Sequence, residues 1–329
     1  MVQSSKKYTN QKFIDEWSDS SEEVAVHTSG STGKPKILHV RKERMRASAR
    51  MTCAYLQLKA GNTALLCLST DYIAGKMMVV RADVAQLRLL QCEPSSHPLR
   101  EIEEAIDFAA MVPLQVIESL KIPEEAKRLR AIRKLIIGGG PIDSALAEVL
   151  KSFPHAVYST YGMTETLSHI AMRRLSGDQA TDAYELLPGV TIHLSADQTL
   201  VIDAPQVCPQ RLITHDRVDL LTDQRFKILG RLDNVVNSGG VKIQIEELEK
   251  RWQSSSKSDF VFTSVPHPRY GEALVLLVTG TKPTPPSFDL FPAYQRPKYC
   301  EKVSEIPRTP NGKIDRKACR QLAEKIIKI

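Results

Sequence analysis

KLIIGGGPIDSALAEVLKSF, residues 134–153, joins a short apolar run, a glycine-rich turn and a helical pattern in immediate succession. Residues 134–137 match a buried strand, and the apolar positions of residues 143–153 recur at helical spacing. The same alternation occurs earlier, where residues 43–58 have the pattern of an amphipathic helix and ALLCLS (64–69) that of a buried strand. Strands that alternate with helices predict an α/β fold with a mixed, mostly parallel sheet.

Three polar segments follow predicted strands of this part of the chain. They are HTSGSTGKPK (27–36), GGGP (138–141) and YGMTET (161–166). In open α/β sheets ligands bind beyond the carboxyl ends of strands. These segments are therefore the first candidates for a binding site.

HTSGSTGKPK has the composition of a phosphate-binding loop. Glycines let backbone N–H groups approach an anion, hydroxyls add donors, and lysines supply positive charge. A solvated turn is the plain alternative, and a kinase-type phosphate loop fails because only two residues separate the glycines and proline follows the first lysine. The candidate phosphate ligands are Thr28, Ser29, Gly30, Ser31, Thr32, Gly33, Lys34 and Lys36.

Composition limits the class of protein. The chain has 329 residues, of which 42% are hydrophobic and 25% charged, enough for one large domain and a smaller one. No apolar run reaches membrane-spanning length, and the polar start lacks the apolar core of a signal peptide, so we expect a cytoplasmic protein. The six cysteines form no Cys-x-x-Cys pair and suggest neither a zinc site nor a disulfide framework.

The net charge of +7 does not predict nucleic-acid binding, because the basic residues are dispersed among 38 acidic ones. The densest early basic run, Arg41–Arg44, is interpreted as the solvated face of a helix. A basic balance also suits anionic small ligands.

The pattern changes in the last third of the chain. VTIHL (190–194) and TLVIDA (199–204) alternate apolar and polar residues around a short turn, which predicts a hairpin. After Gly230 the pattern is that of a separate small α+β domain. We therefore predict a large domain over residues 1–230 and a small, mobile domain over 231–329.

The ordered set of motifs resembles the adenylate-forming superfamily of acyl-CoA synthetases, carrier-protein adenylation domains and luciferases. HTSGSTGKPK, GGGP, YGMTE, LPG, THD, GRLDN, SGG and PNGK occur in the family's order over residues 24 to about 318. The resemblance implies that a carboxylate attacks the α-phosphate of ATP, and that the thiol of CoA then displaces AMP. It also implies a Mg²⁺ ion and rotation of the small domain between the two steps.

The resemblance implies a role for individual positions. Thr164 is expected at the α-phosphate and Glu165 at Mg²⁺, with Thr164 close to the metal; a surface carboxylate is the plain alternative for Glu165. Tyr161 would stack on adenine, Asp216 would hold the ribose hydroxyls, and Arg231 would approach ribose and phosphate. The remaining ATP-site positions are Gly139, Gly140, Pro141 and Gly162.

Further positions belong to the two half-reactions. Lys313, in a turn where a lysine is ordinarily idle, corresponds to the lysine that bridges carboxylate and phosphates during adenylation. Asp233 stands at the hinge position. Residues that would line the path of the pantetheine arm are Ser238, Gly239 and Gly240.

Several positions depart from the family pattern. His215 stands where glycine is usual, and Ile37 replaces a common glycine. Since the phosphate loop begins at residue 27, we expect a large domain that is shortened at its N-terminus but active.

LSTDYIAGKMMVVRA (68–82) resembles the acyl-pocket segment of o-succinylbenzoate:CoA ligases of menaquinone biosynthesis. Such an acid carries two carboxylates, and the one that does not react needs a cationic or hydroxyl partner. An arginine on a helix can instead extend its head to solvent. Three other functions stay open: another aryl- or acyl-CoA ligase, a carrier-protein adenylation domain, and an inactive nucleotide-binding protein. A homodimer also stays open as the oligomeric state. The candidate acyl-site residues are Tyr72, Lys76, Arg81, Gly138, Ser168 and His169.

Overall fold

Helices and strands alternate along the first half of the chain, as the sequence pattern predicts. The structure is a computed structural model that describes residues 10–27, 37–253, 258–282, 288–309 and 313–327. The predicted phosphate loop therefore lies outside the described residues, apart from His27. The helices are α1 (Gln11–Ser18), α2 (Lys42–Tyr55), α3 (Ile73–Val84), α4 (Pro113–Lys121), α5 (Pro123–Ala131), α6 (Ser144–Lys151), α7 (Ile245–Gln253) and α8 (Arg316–Ile326).

The strands fall into three sheets within the described residues. The first nine are β1 (Glu23–His27), β2 (Ile37–Arg41), β3 (Thr63–Leu66), β4 (Arg88–Gln91), β5 (Phe108–Met111), β6 (Lys134–Ile137), β7 (Ala156–Gly162), β8 (His169–Arg174) and β9 (Tyr184–Leu186). The others are β10 (Thr191–Leu194), β11 (Thr199–Ala204), β12 (Cys208–Thr222), β13 (Arg225–Arg231), β14 (Val235–Ser238), β15 (Val241–Gln244), β16 (Phe260–His267), β17 (Gly271–Val278) and β18 (Tyr299–Lys302).

The largest sheet of the described chain has the strand order β10-β11-β12-β13-β9-β8-β7-β6-β5-β3-β4. Its strands β4, β3, β5, β6 and β7 are parallel, and the direction reverses where β8 pairs with β7. The α/β fold class predicted from the sequence is confirmed. Because β6 and β7 are parallel neighbours, the GGGP and YGMTET segments emerge at the same edge of the sheet.

A hydrophobic core lies between the parallel strands and helices α4 to α6. Leu65 on β3 and Leu135 on β6 are fully buried, and Leu150 on α6 packs in the same cluster. The apolar positions of residues 143–153 therefore form the inner face of a helix, and Asp143 caps its N-terminus by accepting a hydrogen bond from Leu146 N at 2.7 Å.

Leu65→Ala is expected to lower the free energy of unfolding by about 2–5 kcal/mol, because it removes buried atoms and leaves a cavity. Urea unfolding followed by tryptophan fluorescence measures this change. Leu114→Ala is the matched control, since Leu114 is 53% exposed and its truncation should change stability little. Equal effects of the two substitutions would contradict the proposed core.

The five-stranded sheet has the order β15-β14-β17-β16, with β18 parallel to β17. Alternate residues of β16 face opposite sides: Phe262 packs with Trp252 of α7, and Val261 packs with Cys319 of α8. One helix covers each face. Strands and helices thus combine as the α+β pattern of this region predicts.

The N-terminal segment contains a helix that sequence analysis did not predict. Phe13 and Trp17, one helical turn apart on α1, are both buried, and Trp17 Nε1 donates a hydrogen bond to Asp83 Oδ2 at 3.1 Å. The interpretation of Arg41–Arg44 as a solvated face is wrong for Lys42, which is 3% exposed and pairs with Asp19 at 2.8 Å. That hydrogen bond, with further bonds from Ser21, lowers the pKa of Asp19 to about 2.

Contacts along the chain divide it into two compact units. The first comprises Met1–His193, Val201–Leu212 and Leu220–Lys227, and the second comprises the remaining segments, which are Leu194–Leu200, Ile213–Asp219 and Ile228–Ile329. The domain boundary at residue 231 stays a prediction. Among the described helices, none is both long and apolar enough to cross a bilayer.

Candidate active site

The loops after β6 and β7 depend on glycine. Gly139 has a φ of +79°, a left-handed conformation that favours glycine. A Cβ on Gly162 would lie 2.2 Å from the carbonyl oxygen of Ser168, so this position excludes any side chain. Gly138 is also close to a neighbour, since a Cβ there would lie 2.6 Å from the side-chain oxygen Oγ1 of Thr160. The glycines thus allow the backbone to fold tightly at the sheet edge.

Thr166 holds the turn that carries the predicted phosphate and magnesium ligands. Its hydroxyl accepts a hydrogen bond from Met163 N at 3.0 Å and lies 2.6 Å from the carbonyl oxygen of Ser168. Thr164 is buried in this turn, whereas Glu165 is exposed. The turn therefore presents one carboxylate to solvent.

Tyr161 belongs to an aromatic cluster. Its ring makes edge contacts with Tyr184 and Phe226, at centroid distances of 5.9 and 5.3 Å, and it is 8% exposed. Adenine stacking on Tyr161 stays a prediction, and the cluster fixes the orientation of the ring.

The structure separates the two predicted acyl-site cations on α3. Lys76 is buried with its Nζ 4.0 Å from the ring centroid of Phe13 on α1, and this burial lowers its pKa. Arg81 lies five residues after Lys76, and five residues turn a helix by about 140° beyond a full turn. Its side chain therefore leaves α3 on another side, where it forms a hydrogen bond with Ser168. Tyr72, at the start of α3, is 52% exposed.

Arg81 is a fully buried cation, 1% exposed. Its Nη2 donates to Ser168 Oγ at 2.6 Å and its Nη1 lies 3.9 Å from the sulfur of Met78. Among the described residues no carboxylate pairs with Arg81, and its buried Nε has no hydrogen-bond partner. Burial lowers its pKa to about 10, so the side chain stays charged at neutral pH. The alternative in which this arginine extends to solvent is therefore excluded.

His169, also predicted for the acyl site, is buried behind Ser168. Its Nδ1 lies 3.2 Å from Ser168 Oγ and its Nε2 lies 2.9 Å from the hydroxyl of Thr52 on α2. Burial and, second, the charge of Arg81 lower the pKa of His169 well below its ordinary value. The imidazole is therefore neutral at neutral pH.

A network of charges connects predicted nucleotide ligands in the second unit. Arg231 donates to Asp216 at 3.1 Å and to Asp233 at 3.1 Å, and His215 Nδ1 lies 2.8 Å from the other oxygen of Asp233. Burial acts to raise the pKa of Asp233, but the hydrogen bonds from His215 and Arg231 outweigh it and lower the pKa. The structure thus brings Asp216, Arg231 and Asp233 together.

Lys313 lies beside Thr309 in the same unit, where the Lys313 carbonyl oxygen accepts a hydrogen bond from Thr309 N at 2.7 Å. The pKa of Lys313 is lowered, mainly because the ammonium is partly buried and also because Arg231 is positively charged. The residue as a whole is exposed. Of the predicted pantetheine residues, Ser238 is buried while Gly239 and Gly240 are exposed.

Sequence reasoning missed Thr52 and Thr166. Thr52 contacts His169 across 117 positions of sequence. The only available signal was a polar residue on the buried stripe of α2, at helical spacing from Met45 and Ser48. Thr166 lies within the YGMTET motif, but its role is to hold the backbone of the turn by hydrogen bonds to Met163 and Ser168.

Comparison with known proteins agrees with this arrangement. The model of the family described as AMP-binding enzyme matches residues 4–210. The crystal structure of an acyl-CoA synthetase (AMP-forming)/AMP-acid ligase II-like protein from Dyadobacter fermentans is 33% identical, with a TM-score of 0.67, and the match covers 98% of this chain and 96% of that one. The chain therefore belongs to the family of AMP-binding enzymes.

A curated relative narrows the class. A probable 2-succinylbenzoate–CoA ligase of Mycobacterium tuberculosis is 25% identical over 326 residues, covering 90% of this chain and 83% of the relative. The chain is an acid–thiol ligase, an AMP-forming acyl-CoA synthetase. The o-succinylbenzoate coenzyme A synthetase of Bacillus subtilis, solved with ATP and a magnesium ion, shares the fold at 19% identity, with a TM-score of 0.73 over 89% of this chain and 68% of that one.

Proposed function

We propose that this chain is a 2-succinylbenzoate–CoA ligase that acts in menaquinone biosynthesis. The observation that carries the proposal is Arg81, a buried cation without a carboxylate partner among the described residues. An uncompensated buried charge costs several kcal/mol, so the site is suited to an anionic ligand that supplies the missing charge. An acid with a second carboxylate beside an aromatic ring meets this requirement.

The proposed reaction has two steps. One carboxylate of the acid attacks the α-phosphorus of ATP, the bond to the bridging oxygen breaks, and pyrophosphate leaves with the electron pair. The sulfur of CoA, having lost its proton to solvent, then attacks the acyl carbon and releases AMP. The first step brings an anion against a polyanion, which requires fixed positive charge and donors where charge develops.

Residues of this chain are proposed to meet that requirement in both steps. Lys313 neutralises charge between carboxylate and phosphate, Thr164 donates to the α-phosphate, and Arg231 and Asp216 hold the ribose. The loop of residues 28–36 is proposed to hold the β- and γ-phosphates. Ser238, Gly239 and Gly240 give the pantetheine arm of CoA a path with little side-chain bulk.

The residues present fit a magnesium ion held jointly with the nucleotide. Within the described ranges no cluster of three or more His, Cys, Asp or Glu side chains offers a complete cage. Glu165 supplies a single exposed carboxylate, and one carboxylate with substrate phosphates is a usual magnesium arrangement. When bound there, Mg²⁺ would neutralise phosphate charge.

The proposal is tested by ATP–pyrophosphate exchange with a panel of acids that includes 2-succinylbenzoate, followed by the mass of the product formed with CoA. We expect exchange that depends on this acid and a thioester that forms with free CoA. Exchange without consumption of free CoA would indicate a carrier-protein adenylation domain. ATP binding without exchange for any acid would indicate an inactive nucleotide-binding protein.

A further inference from the structure

Arg81, which is proposed to hold the acid, is the first member of a buried hydrogen-bond chain. The chain runs from Arg81 to Ser168, to His169, to Thr52 on α2 and on to the carbonyl oxygen of Ser48. The four steps measure 2.6, 3.2, 2.9 and 3.2 Å. Thr52 and Ser48 are one helical turn apart, and both are almost fully buried.

The two ends of the chain determine its direction. A guanidinium can only donate, so Ser168 Oγ accepts from Arg81. A carbonyl can only accept, so the single proton of the Thr52 hydroxyl is used on Ser48 O, and Thr52 must accept from His169 Nε2.

The histidine tautomer follows from these constraints. Because His169 is neutral and carries its proton on Nε2, its Nδ1 is left as an acceptor for the Ser168 hydroxyl proton. Each hydroxyl then donates once and accepts once. From Arg81 to the backbone of α2, every hydrogen bond therefore has one donor and one acceptor.

We propose that His169 and Thr52 are positioning residues that hold the Arg81 guanidinium for the non-reacting carboxylate of the acid, an inference that rests on the proposed function. Ser168 accepts one Nη2 proton, which restrains rotation of the guanidinium and leaves Nε and other N–H groups for the anion. His169 does not touch the acid in this role. It acts by keeping the proton of the Ser168 hydroxyl directed away from Arg81, so that Ser168 Oγ accepts from the guanidinium.

The same chain connects the acyl site with the turn that carries Thr164 and Glu165. Ser168 is the last residue of this turn, and its carbonyl oxygen is held by the Thr166 hydroxyl at 2.6 Å. A displacement of Ser168 would therefore disturb both the acid-binding cation and the turn.

The test compares two substitutions that each restore one half of the imidazole. Asparagine at position 169 places an oxygen near the Nδ1 position, where it can accept from Ser168. Glutamine places an amide nitrogen near the Nε2 position, where it can donate to Thr52 but cannot accept from Ser168. We expect His169→Gln to raise the KM for 2-succinylbenzoate about tenfold and His169→Asn to raise it less than about threefold, because a buried hydroxyl left without its acceptor is costly.

Thr52→Val should raise the same KM about tenfold in the wild-type background, because it leaves the Nε2 proton unpaired and favours the other tautomer. In the His169→Asn background it should add little, because the acceptor for Ser168 no longer depends on Thr52. Thr199→Val is the matched control. Thr199 is also buried, and its hydroxyl lies 2.8 Å from Ser195 Oγ, so it takes no part in the hydrogen bonds between Arg81 and Ser48.

A second acid separates positioning from a structural role. The second acid is 2-succinylbenzoate esterified at the non-reacting carboxylate. For this ester, we expect the KM of Thr52→Val to equal that of the wild-type protein. Equal losses with the diacid and its ester, or equal effects of the asparagine and glutamine variants, would overturn the proposal. Lack of exchange by the wild-type protein with every acid would instead refute the proposed substrate.

Nitrogen-15 NMR of the full-length protein, labelled at histidine, tests the proposed hydrogen-bond directions without any acid. The resonances of His169 are those lost in His169→Asn. We expect a neutral ring protonated on Nε2 that does not titrate near an ordinary histidine pKa. A ring protonated on Nδ1, or one that titrates normally, would overturn the assigned direction.

Discussion

Lys313→Ala is expected to slow formation of the acyl adenylate by roughly 10²- to 10³-fold, the loss typical for one donor that stabilises developing charge. The same variant should form thioester from supplied acyl adenylate and CoA at a rate within about threefold of wild type. ATP–pyrophosphate exchange measures the first step, and thioester release measures the second. The reason for the asymmetry is that only the first step joins a carboxylate to a polyphosphate.

Lys317→Ala is the matched control for this prediction, since Lys317 is an exposed lysine of the adjacent helix α8. It should leave both half-reactions unchanged. Equal losses of the two half-reactions in Lys313→Ala would contradict the proposed division of roles.

The pH dependence of adenylation gives an independent measurement on Lys313. Partial burial and, second, Arg231 lower the pKa of Lys313, so its ammonium is lost at a lower pH than that of an ordinary lysine. Adenylation should therefore fall as pH rises through this lowered pKa. Thioester formation from supplied adenylate should not share that alkaline limb.

Local patterns predicted the larger elements of the fold well. Residues 134–153 contain a complete strand, turn and helix whose apolar positions coincide with the core, because strand and helix periodicities are properties of adjacent residues. The α+β pattern predicted after Gly230 likewise corresponds to the strands Phe260–His267 and Gly271–Val278 and the helix Arg316–Ile326.

The elements that sequence analysis missed depend on contacts distant in the chain. Helix α1 has only eight residues, and it is held by Trp17 on Asp83 and by Asn10, which accepts a hydrogen bond from Thr70 N. Lys42 has the sequence context of a surface residue, yet its side chain is buried while its ammonium pairs with the exposed Asp19. Neither pairing has a periodic signal.

The candidate site shows the same contrast. Motifs identified Ser168, His169 and Arg81 as candidates, because each lies in a segment with recognisable spacing. The bonds that connect them, and Thr52 at the far end, arise only when α2, α3 and the turn before β8 pack together. Packing therefore supplied the information on which the positioning proposal depends.

Arg81→Met is expected to lower kcat/KM for 2-succinylbenzoate by roughly 30- to 5000-fold, because loss of a buried charged partner costs about 2–5 kcal/mol of binding. The KM for ATP should change little, since Arg81 is assigned to the acid. At the same time the free energy of unfolding should stay the same or rise by about 1–4 kcal/mol, as it does when apolar groups replace buried charges. Activity thus falls while stability does not.

Arg316→Met provides the contrasting control for the stability measurement. Arg316 forms a bidentate pair with Glu249, with both N–O distances at 2.6 Å, so methionine there leaves a half-buried carboxylate without its partner. We expect this variant to unfold at a lower urea concentration than wild type. Arg81 differs because its removal leaves no carboxylate behind within the described residues. An Arg81→Met protein that unfolds more easily and loses activity equally toward the diacid and its ester would show that the guanidinium supports the fold rather than the substrate.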